Sequence, residues 1–77
     1  MTRKPRISGK RLLRALEYGG FENVRTKGSH HFMRHADGRC TVVMVHGSEI
    51  IGIGLLTQVM NDTELTTEQL EELLTNT

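Results

Sequence analysis

An Asp37-Gly38 pair between two strand-like segments is the feature that most limits how this chain can fold. Asp-Gly is among the strongest short signals for a β-hairpin, because it tolerates the backbone of a tight turn. The segment before it, His30–His35, alternates in character, and the one after it, Cys40–Val45, is apolar and β-branched. A weaker strand is predicted over Phe21–Thr26, with a turn at Lys27-Gly28-Ser29. The sequence therefore predicts an antiparallel meander.

A helix is predicted on each side of this meander. Ser8 is a suitable N-cap, Leu12, Leu13 and Leu16 form an apolar stripe, and Gly19-Gly20 supplies a C-terminus. The same spacing recurs after Gly54, in Leu55, Leu56, Val59 and Met60. A short additional C-terminal helix follows, with a Thr66–Gln69 capping box and a Leu65–Leu70 hydrophobic staple.

These elements predict an α+β fold of order α-β-β-β-α, in which the helices cover one face of the sheet and leave the other face open. We expect residues 1–77 to form a single small domain, with a basic, flexible lead-in over residues 1–7 that Pro5 keeps from being helical. The longest uncharged apolar run, Ile50–Val59, is too short to cross a membrane. The single cysteine, Cys40, excludes an internal disulfide, fits a reducing cytoplasm and is interpreted as a core thiol.

Charge is divided unevenly along the chain. Residues 1–46 hold ten Lys and Arg against three Asp and Glu, whereas residues 47–77 hold six acidic residues and no Lys or Arg. A basic half of this kind suits a polyanion, since each neutralised phosphate releases counterions. The outer face of the first helix carries Lys10, Arg11 and Arg14, which we predict to bind nucleic acid.

The segment Lys27–His35 is where catalytic chemistry is most plausible. It holds three of the four histidines within six positions. Strand alternation would place His30, Phe32 and Arg34 on one face and His31, Met33 and His35 on the other. Histidine titrates near neutral pH, so it can take a proton from a ribose 2′-hydroxyl or return one to a leaving oxygen. Three nearby cations, Arg25, Lys27 and Arg34, are predicted to stabilise the charge on the phosphate. Ser29 could hold a phosphate oxygen.

Three other interpretations of the histidines compete with catalysis. They could be surface residues without chemistry, or they could only contact phosphate. A metal site built from His30, His31, His35 and His46 is the third, and we disfavour it because adjacent strand residues face opposite ways. We therefore predict no metal and no other cofactor.

Several segments together resemble the HicA family of toxins, over nearly the whole chain. They are Ser8-Gly9-Lys10, Gly20-Phe21, Lys27-Gly28-Ser29-His30-His31, His35-Ala36-Asp37-Gly38-Arg39 and Val45-His46. The resemblance implies a fold like that of double-stranded-RNA-binding domains and a metal-independent mRNA interferase, an endoribonuclease. It also implies mRNA as substrate and a HicB-type antitoxin as protein partner. The resemblance further implies that the histidine after Gly-Ser is catalytic, which points to His30, with the adjacent His31 as the alternative.

The sequence departs from its relatives at two places. Ile50–Leu55 stands where many have a Lys-Pro-Gly-Thr-like segment, and Ala36 replaces a proline often found before Asp-Gly. The first change removes a cation from the later half of the chain. A non-catalytic RNA-binding module with the same fold remains the alternative function, and the oligomeric state stays open between a monomer and a weak dimer.

Overall fold

The computed structural model describes residues 6–77 as three helices and a three-stranded antiparallel sheet. The elements are α1 (Gly9–Tyr18), β1 (Phe21–Lys27), β2 (His30–His35), β3 (Cys40–Met44), α2 (Ile53–Thr63) and α3 (Thr67–Asn76). The strands lie in the order β1-β2-β3, so each is joined to its neighbour by a hairpin. This confirms the predicted α-β-β-β-α layout with an additional C-terminal helix. No helix within residues 6–77 has the length and apolar character needed to cross a bilayer.

Local signals set most helix ends where the sequence predicts them. The Ser8 side chain accepts from the backbone N–H of Arg11 at 3.2 Å and caps α1. Gly20 follows α1 with a φ of 97°, in the left-handed region that glycine adopts without strain. Thr66 and Gln69 form the predicted reciprocal capping box at the start of α3.

The start of α2 differs from the prediction. The helix begins at Ile53 with Gly52 as its N-cap, so Gly54 lies inside the first turn rather than before it. The backbone N–H of Leu56 donates to the Gly52 carbonyl at 2.9 Å and closes that turn.

The core lies between the helices and one face of the sheet. Phe21, Met33 and Val43 contribute the sheet side and are at most 4% exposed. The helices contribute a set of buried leucines, Leu12, Leu16, Leu56, Leu70 and Leu74. Alternate strand positions face away from this core, and within residues 6–77 the other side of the sheet is left open, as predicted.

Ile7, the last residue of the predicted lead-in, is buried. Residues 1–5 lie outside the described part of the chain, but Ile7 is only 3% exposed. Its carbonyl accepts from the backbone N–H of Ile51 at 2.8 Å, and the next residue, Ser8, forms an antiparallel bridge with Ile50. Ile7 is therefore part of the core.

Cys40 is not the core thiol that the sequence analysis predicted. It is exposed at the start of β3, where its Sγ–H donates to the Gly38 carbonyl at 3.4 Å. The positions of β3 that face the core are Thr41 and Val43. Burial of Thr41 is possible because its hydroxyl donates to the Asp62 carboxylate at 2.9 Å.

Candidate active site

A two-residue hairpin turn presents His30 at the edge of the open face. Lys27 and His30 form the last residue pair between β1 and β2, so only Gly28 and Ser29 lie in the turn. Gly28 has a φ of 60° while Ser29 keeps a negative one, the pattern of a type II′ turn with glycine first. The Ser29 carbonyl also accepts from the backbone N–H of Val45 at 2.9 Å. The turn is thereby fixed to the chain leaving β3, and it holds His30 in place.

The open face carries three rows of side chains across the sheet. From β1 to β3 the rows are Lys27–His30–Met44, Arg25–Phe32–Val42 and Glu22–Arg34–Cys40. Cross-strand neighbours on one face have Cβ atoms roughly 4.5–5.5 Å apart. Lys27 is therefore the cation directly beside His30, and both side chains are exposed. The face carries more positive than negative charge, since Glu22 at its far end is its only carboxylate in these rows.

A β-bulge at Val24 brings Arg25 and Lys27 to this face. Asn23 pairs with Met33 but Arg25 pairs with Phe32, so β1 holds one extra residue there. An extra residue reverses which way the following side chains point. Without it, Arg25 and Lys27 would face the helices and Thr26 would face outward. The bulge thus supplies the cations beside His30.

The candidate cations are not equally close to His30. Arg34 is four residues further along the same strand, a separation of roughly 13 Å at the rise of a β-strand. This separation places Arg34 nearer to a neighbouring phosphate than Lys27 is. The guanidinium of Arg25 lies over the Phe32 ring, 5.5 Å from its centroid.

His31 lies on the opposite face, towards the helices. It is half-buried, and its Nδ1 is 3.0 Å from the Asn23 amide nitrogen and 3.4 Å from the Thr26 hydroxyl. A neutral His31 that accepts from Asn23 through Nδ1 carries its proton on Nε2. The ring borders a cleft of about 550 Å³ whose lining includes Ser8, Lys10 and Leu13.

His35 has a structural role at the other end of β2. Its ring meets Phe21 edge-on at a centroid distance of 5.1 Å, and the backbone N–H of Asp37 donates to its Nδ1 at 3.1 Å. Asp37 Oδ1 lies equally close to the same nitrogen, at 3.1 Å, so a protonated His35 could donate to the carboxylate instead.

Asp37 and Arg39 fasten the β2–β3 turn to the helices. The backbone N–H of Arg39 donates to the Asp37 carboxylate at 3.0 Å and its Nε donates at 2.8 Å. The backbone hydrogen bond, supported by the guanidinium, lowers the pKa of Asp37 below its usual range. Arg39 also donates to the Thr63 carbonyl at the end of α2 and lies over the Phe21 ring. The sequence signal for this contact is an Asp two residues before an Arg across a turn glycine.

The structure divides the residues predicted to bind RNA between two sides of the molecule. Arg25, Lys27 and Arg34 share the open face with His30. Arg11 and Arg14 are exposed on α1, in the helix layer, while Lys10 borders the His31 cleft. Ser29 is half-buried in the hairpin turn.

The four histidines do not gather around one point. His46 is exposed in the loop after β3, His30 is on the open face of β2, and His31 and His35 are near opposite ends of its covered face. Within residues 6–77 no three His, Cys, Asp or Glu side chains come together as a metal site.

Comparison with known proteins agrees with the resemblance of the sequence. A family model described as the HicA toxin of bacterial toxin–antitoxin systems matches residues 9–65, which is about three quarters of the chain. The matched range runs from the first residue of α1 to just past α2 and includes both His30 and His31. No curated protein matches the sequence. The chain belongs to the HicA family of toxins of bacterial toxin–antitoxin systems.

Proposed function

We propose that this toxin is a metal-independent endoribonuclease that cleaves mRNA in the cytoplasm, with His30 as its general base or acid. One observation carries the proposal: an exposed histidine held by a Gly-Ser turn, directly beside Lys27, in a chain of the HicA family. The resemblance of the sequence to HicA toxins supplies the reaction. The open face supplies a surface on which a phosphodiester can meet a histidine and a lysine together.

The reaction requires a base, a cation and an acid. The 2′-hydroxyl loses its proton and its oxygen bonds to the adjacent phosphorus, while the bond from phosphorus to the 5′-oxygen breaks and that oxygen gains a proton. The products are a 2′,3′-cyclic phosphate and a 5′-hydroxyl end. His30 performs one of the two proton transfers and water the other. Lys27 stabilises the negative charge that builds up on the phosphate oxygens.

The surroundings of the two adjacent histidines favour His30 over His31 for this role. Within residues 6–77 the His30 ring makes no hydrogen bond, so both its nitrogens are available to a substrate. His31 has Nδ1 occupied by Asn23 and Thr26, which leaves Nε2 alone. The half-buried His31 ring also gives a bulky polynucleotide less room than the exposed His30 ring.

RNA would lie first along the open face and then, where it is long enough, reach the helix layer. Arg34 would bind a phosphate next to the scissile one, since it lies further from His30 than Lys27 does. A longer RNA that passes round the edge of the sheet would contact Lys10, Arg11 and Arg14. The Ser29 turn would hold a phosphate oxygen near His30.

A HicB-type antitoxin would be the protein partner. Acidic or aromatic side chains of such a protein would suit the basic open face, because charge complementarity and steric cover are the simplest way to block a site of this kind.

The test is cleavage of a transcribed mRNA by the purified toxin in the presence of a chelator. We expect products that end in a 2′,3′-cyclic phosphate. An oligonucleotide with a single 2′-deoxy sugar at the mapped position should resist cleavage there and be bound with unchanged affinity. Binding without any product would favour the non-catalytic RNA-binding module, and cleavage of the 2′-deoxy substrate would contradict the proposed chemistry.

A further inference from the structure

The middle row of the open face is aromatic and apolar rather than charged. Phe32 lies at its centre, half-buried, between Arg25 and Val42. Val24 and Val42 are 53% and 38% exposed and lie on either side of a shallow depression of about 470 Å³. A ring at the floor of an open depression offers one flat surface to a ligand.

We propose that Phe32 and Arg25 form a stacking site for one nucleobase of single-stranded RNA, next to the phosphate that His30 acts on. The inference rests on the proposed function, since it assigns a binding site to that substrate. Phe32 follows His30 by two positions on the same strand, so the two side chains leave one face roughly 6.7 Å apart. A base on Phe32 and a phosphate at His30 can therefore belong to neighbouring nucleotides.

The charges around Phe32 favour a nucleic acid over an apolar protein segment. Arg25 and Lys27 lie on one side of it and Arg34 follows on its own strand. The nearby carboxylates are Glu22, at the far end of these rows, and Asp62, which borders the depression and already accepts from Thr41 and Gln58. Aromatic side chains within a basic groove are how proteins bind single strands without reading their sequence. An apolar protein segment would leave these cations without counter-charges.

Arg25 already shows that the exposed side of the Phe32 ring accepts a flat cationic group. Its guanidinium carbon lies 5.5 Å from the ring centroid. Stacking of a base on an aromatic side chain is the stronger interaction when compared with an exposed cation–π contact. The base would move the guanidinium aside, towards the adjacent phosphate.

This geometry restricts the substrate to unpaired RNA. In a duplex both faces of each base are already stacked, and only groove edges and backbone are exposed. Stacking is open to every base, so the site selects single strands and contributes little to the choice of base.

The experiment uses a short RNA that carries 2-aminopurine next to the scissile position and a 2′-deoxy sugar at that position to prevent cleavage. We expect that ordering 2-aminopurine between Phe32 and its neighbouring base quenches its fluorescence. We expect Phe32→Leu to weaken RNA binding about tenfold, which is the usual contribution of one stacked base. The substitution should also abolish the quench. Phe32→Tyr keeps a ring and should retain both. Tyr18→Leu is the matched control, since Tyr18 is 60% exposed on α1 and lies away from this face.

A quench that persists in Phe32→Leu would overturn the stacking site, whether or not the affinity falls. Unchanged RNA binding by Phe32→Leu would do the same and would leave the depression to a protein partner. A measurement that needs no substitution is photocrosslinking of 4-thiouridine RNA to the wild-type toxin. Adducts at Phe32 are expected, and adducts confined to α1 would contradict the inference.

The outcomes separate this inference from the proposed function. Wild-type toxin that quenches 2-aminopurine but never cleaves RNA would refute the ribonuclease activity and keep the stacking site. Cleavage by wild-type toxin together with full quenching by Phe32→Leu would refute the stacking site and keep the activity.

Discussion

The two faces of the sheet are built from the same strands but carry different kinds of residue. On β2, Met33 points to the helices and is 1% exposed, while the residues on either side of it, Phe32 and Arg34, point to the open face. The covered face holds the core and the contacts that fasten the turns. The open face holds exposed cations, one ring and His30. Alternation along a single strand has thus separated the residues that stabilise the fold from those available to a ligand.

The adjacent histidines show this separation most clearly. His30 and His31 are neighbours in sequence, yet one is exposed beside Lys27 and the other is half-buried beside Asn23 and Thr26. They cannot both contact the same phosphate from one face of the sheet. Identical side chains at consecutive positions therefore present two separate hypotheses for the active site.

The largest effect on stability should come from the covered face. Met33→Ala removes a fully buried side chain and should lower the free energy of unfolding by about 2–5 kcal/mol. Arg34→Ala, one residue away on the open face, should change it by no more than about 0.5 kcal/mol. Denaturant unfolding of the two variants measures the difference. Equal losses would break the distinction between the faces.

Substitution of Arg39 should have the next largest effect on stability, because its side chain contacts the covered face despite its charge. Arg39→Ala removes the contacts with Asp37, Thr63 and Phe21. We expect it to lower the free energy of unfolding by about 1–2 kcal/mol. This is less than the usual range for charged hydrogen bonds because Arg39 is partly exposed. Arg25→Ala is the matched control on the open face and should leave the midpoint of thermal unfolding almost unchanged. A larger loss in Arg25→Ala would show that the open face also supports the fold.

Lys27→Ala should weaken RNA binding several-fold without affecting stability. On a short single strand that spans only the open face, the slope of log affinity against log salt should fall by roughly 0.7, the value for one lost phosphate contact. Arg14→Ala should leave binding of this short strand unchanged and weaken only that of longer transcripts. Equal effects of both substitutions on the short strand would contradict binding to the open face alone.

The smallest effect is a pH dependence at Asp37. Its folded pKa is lowered from the ordinary 3.8, chiefly by the backbone hydrogen bond from Arg39. A lowered folded pKa means that the contribution to stability is complete above the unfolded pKa and is lost as pH falls through the folded value. Thermal unfolding should therefore show a decrease below about pH 4 that is smaller in Asp37→Asn. If this decrease were the same in both proteins, the Asp37 carboxylate would be excluded as its source.

Much of the fold could be predicted because its signals are local. Ser8, the Thr66–Gln69 capping box and the turn residues each act within a few positions, and β2 has the predicted bounds His30–His35. The same period-2 pattern correctly grouped His30 with Phe32 and Arg34. It did not say which group faces the helices, because each contains an apolar residue. That choice depends on packing against α1 and α2.

The bulge at Val24 is the part of the candidate site that the alternating pattern of a regular strand could not predict. In a regular strand Phe21 and Lys27 share a face, so burying Phe21 would turn Lys27 towards the helices. The structure avoids this conflict with one extra residue, which buries Phe21 and exposes Lys27. The burial of Ile7 and the exposure of Cys40 were missed for a similar reason, because each depends on pairing with another segment. Ile7 is hydrogen-bonded to Ile51, and Cys40 pairs with β2.

The most direct test of the account compares His30→Ala with His31→Ala in single-turnover cleavage of one RNA with chelator present. Both variants should remain folded, as far-UV circular dichroism can verify. We predict that His30→Ala slows cleavage by about 10²–10⁴-fold with little change in RNA affinity, the usual contribution of a general acid or base, while His31→Ala stays within a few-fold of wild type. Full activity in His30→Ala together with loss of activity in a folded His31→Ala would contradict the account and move the active site to the cleft beside α1.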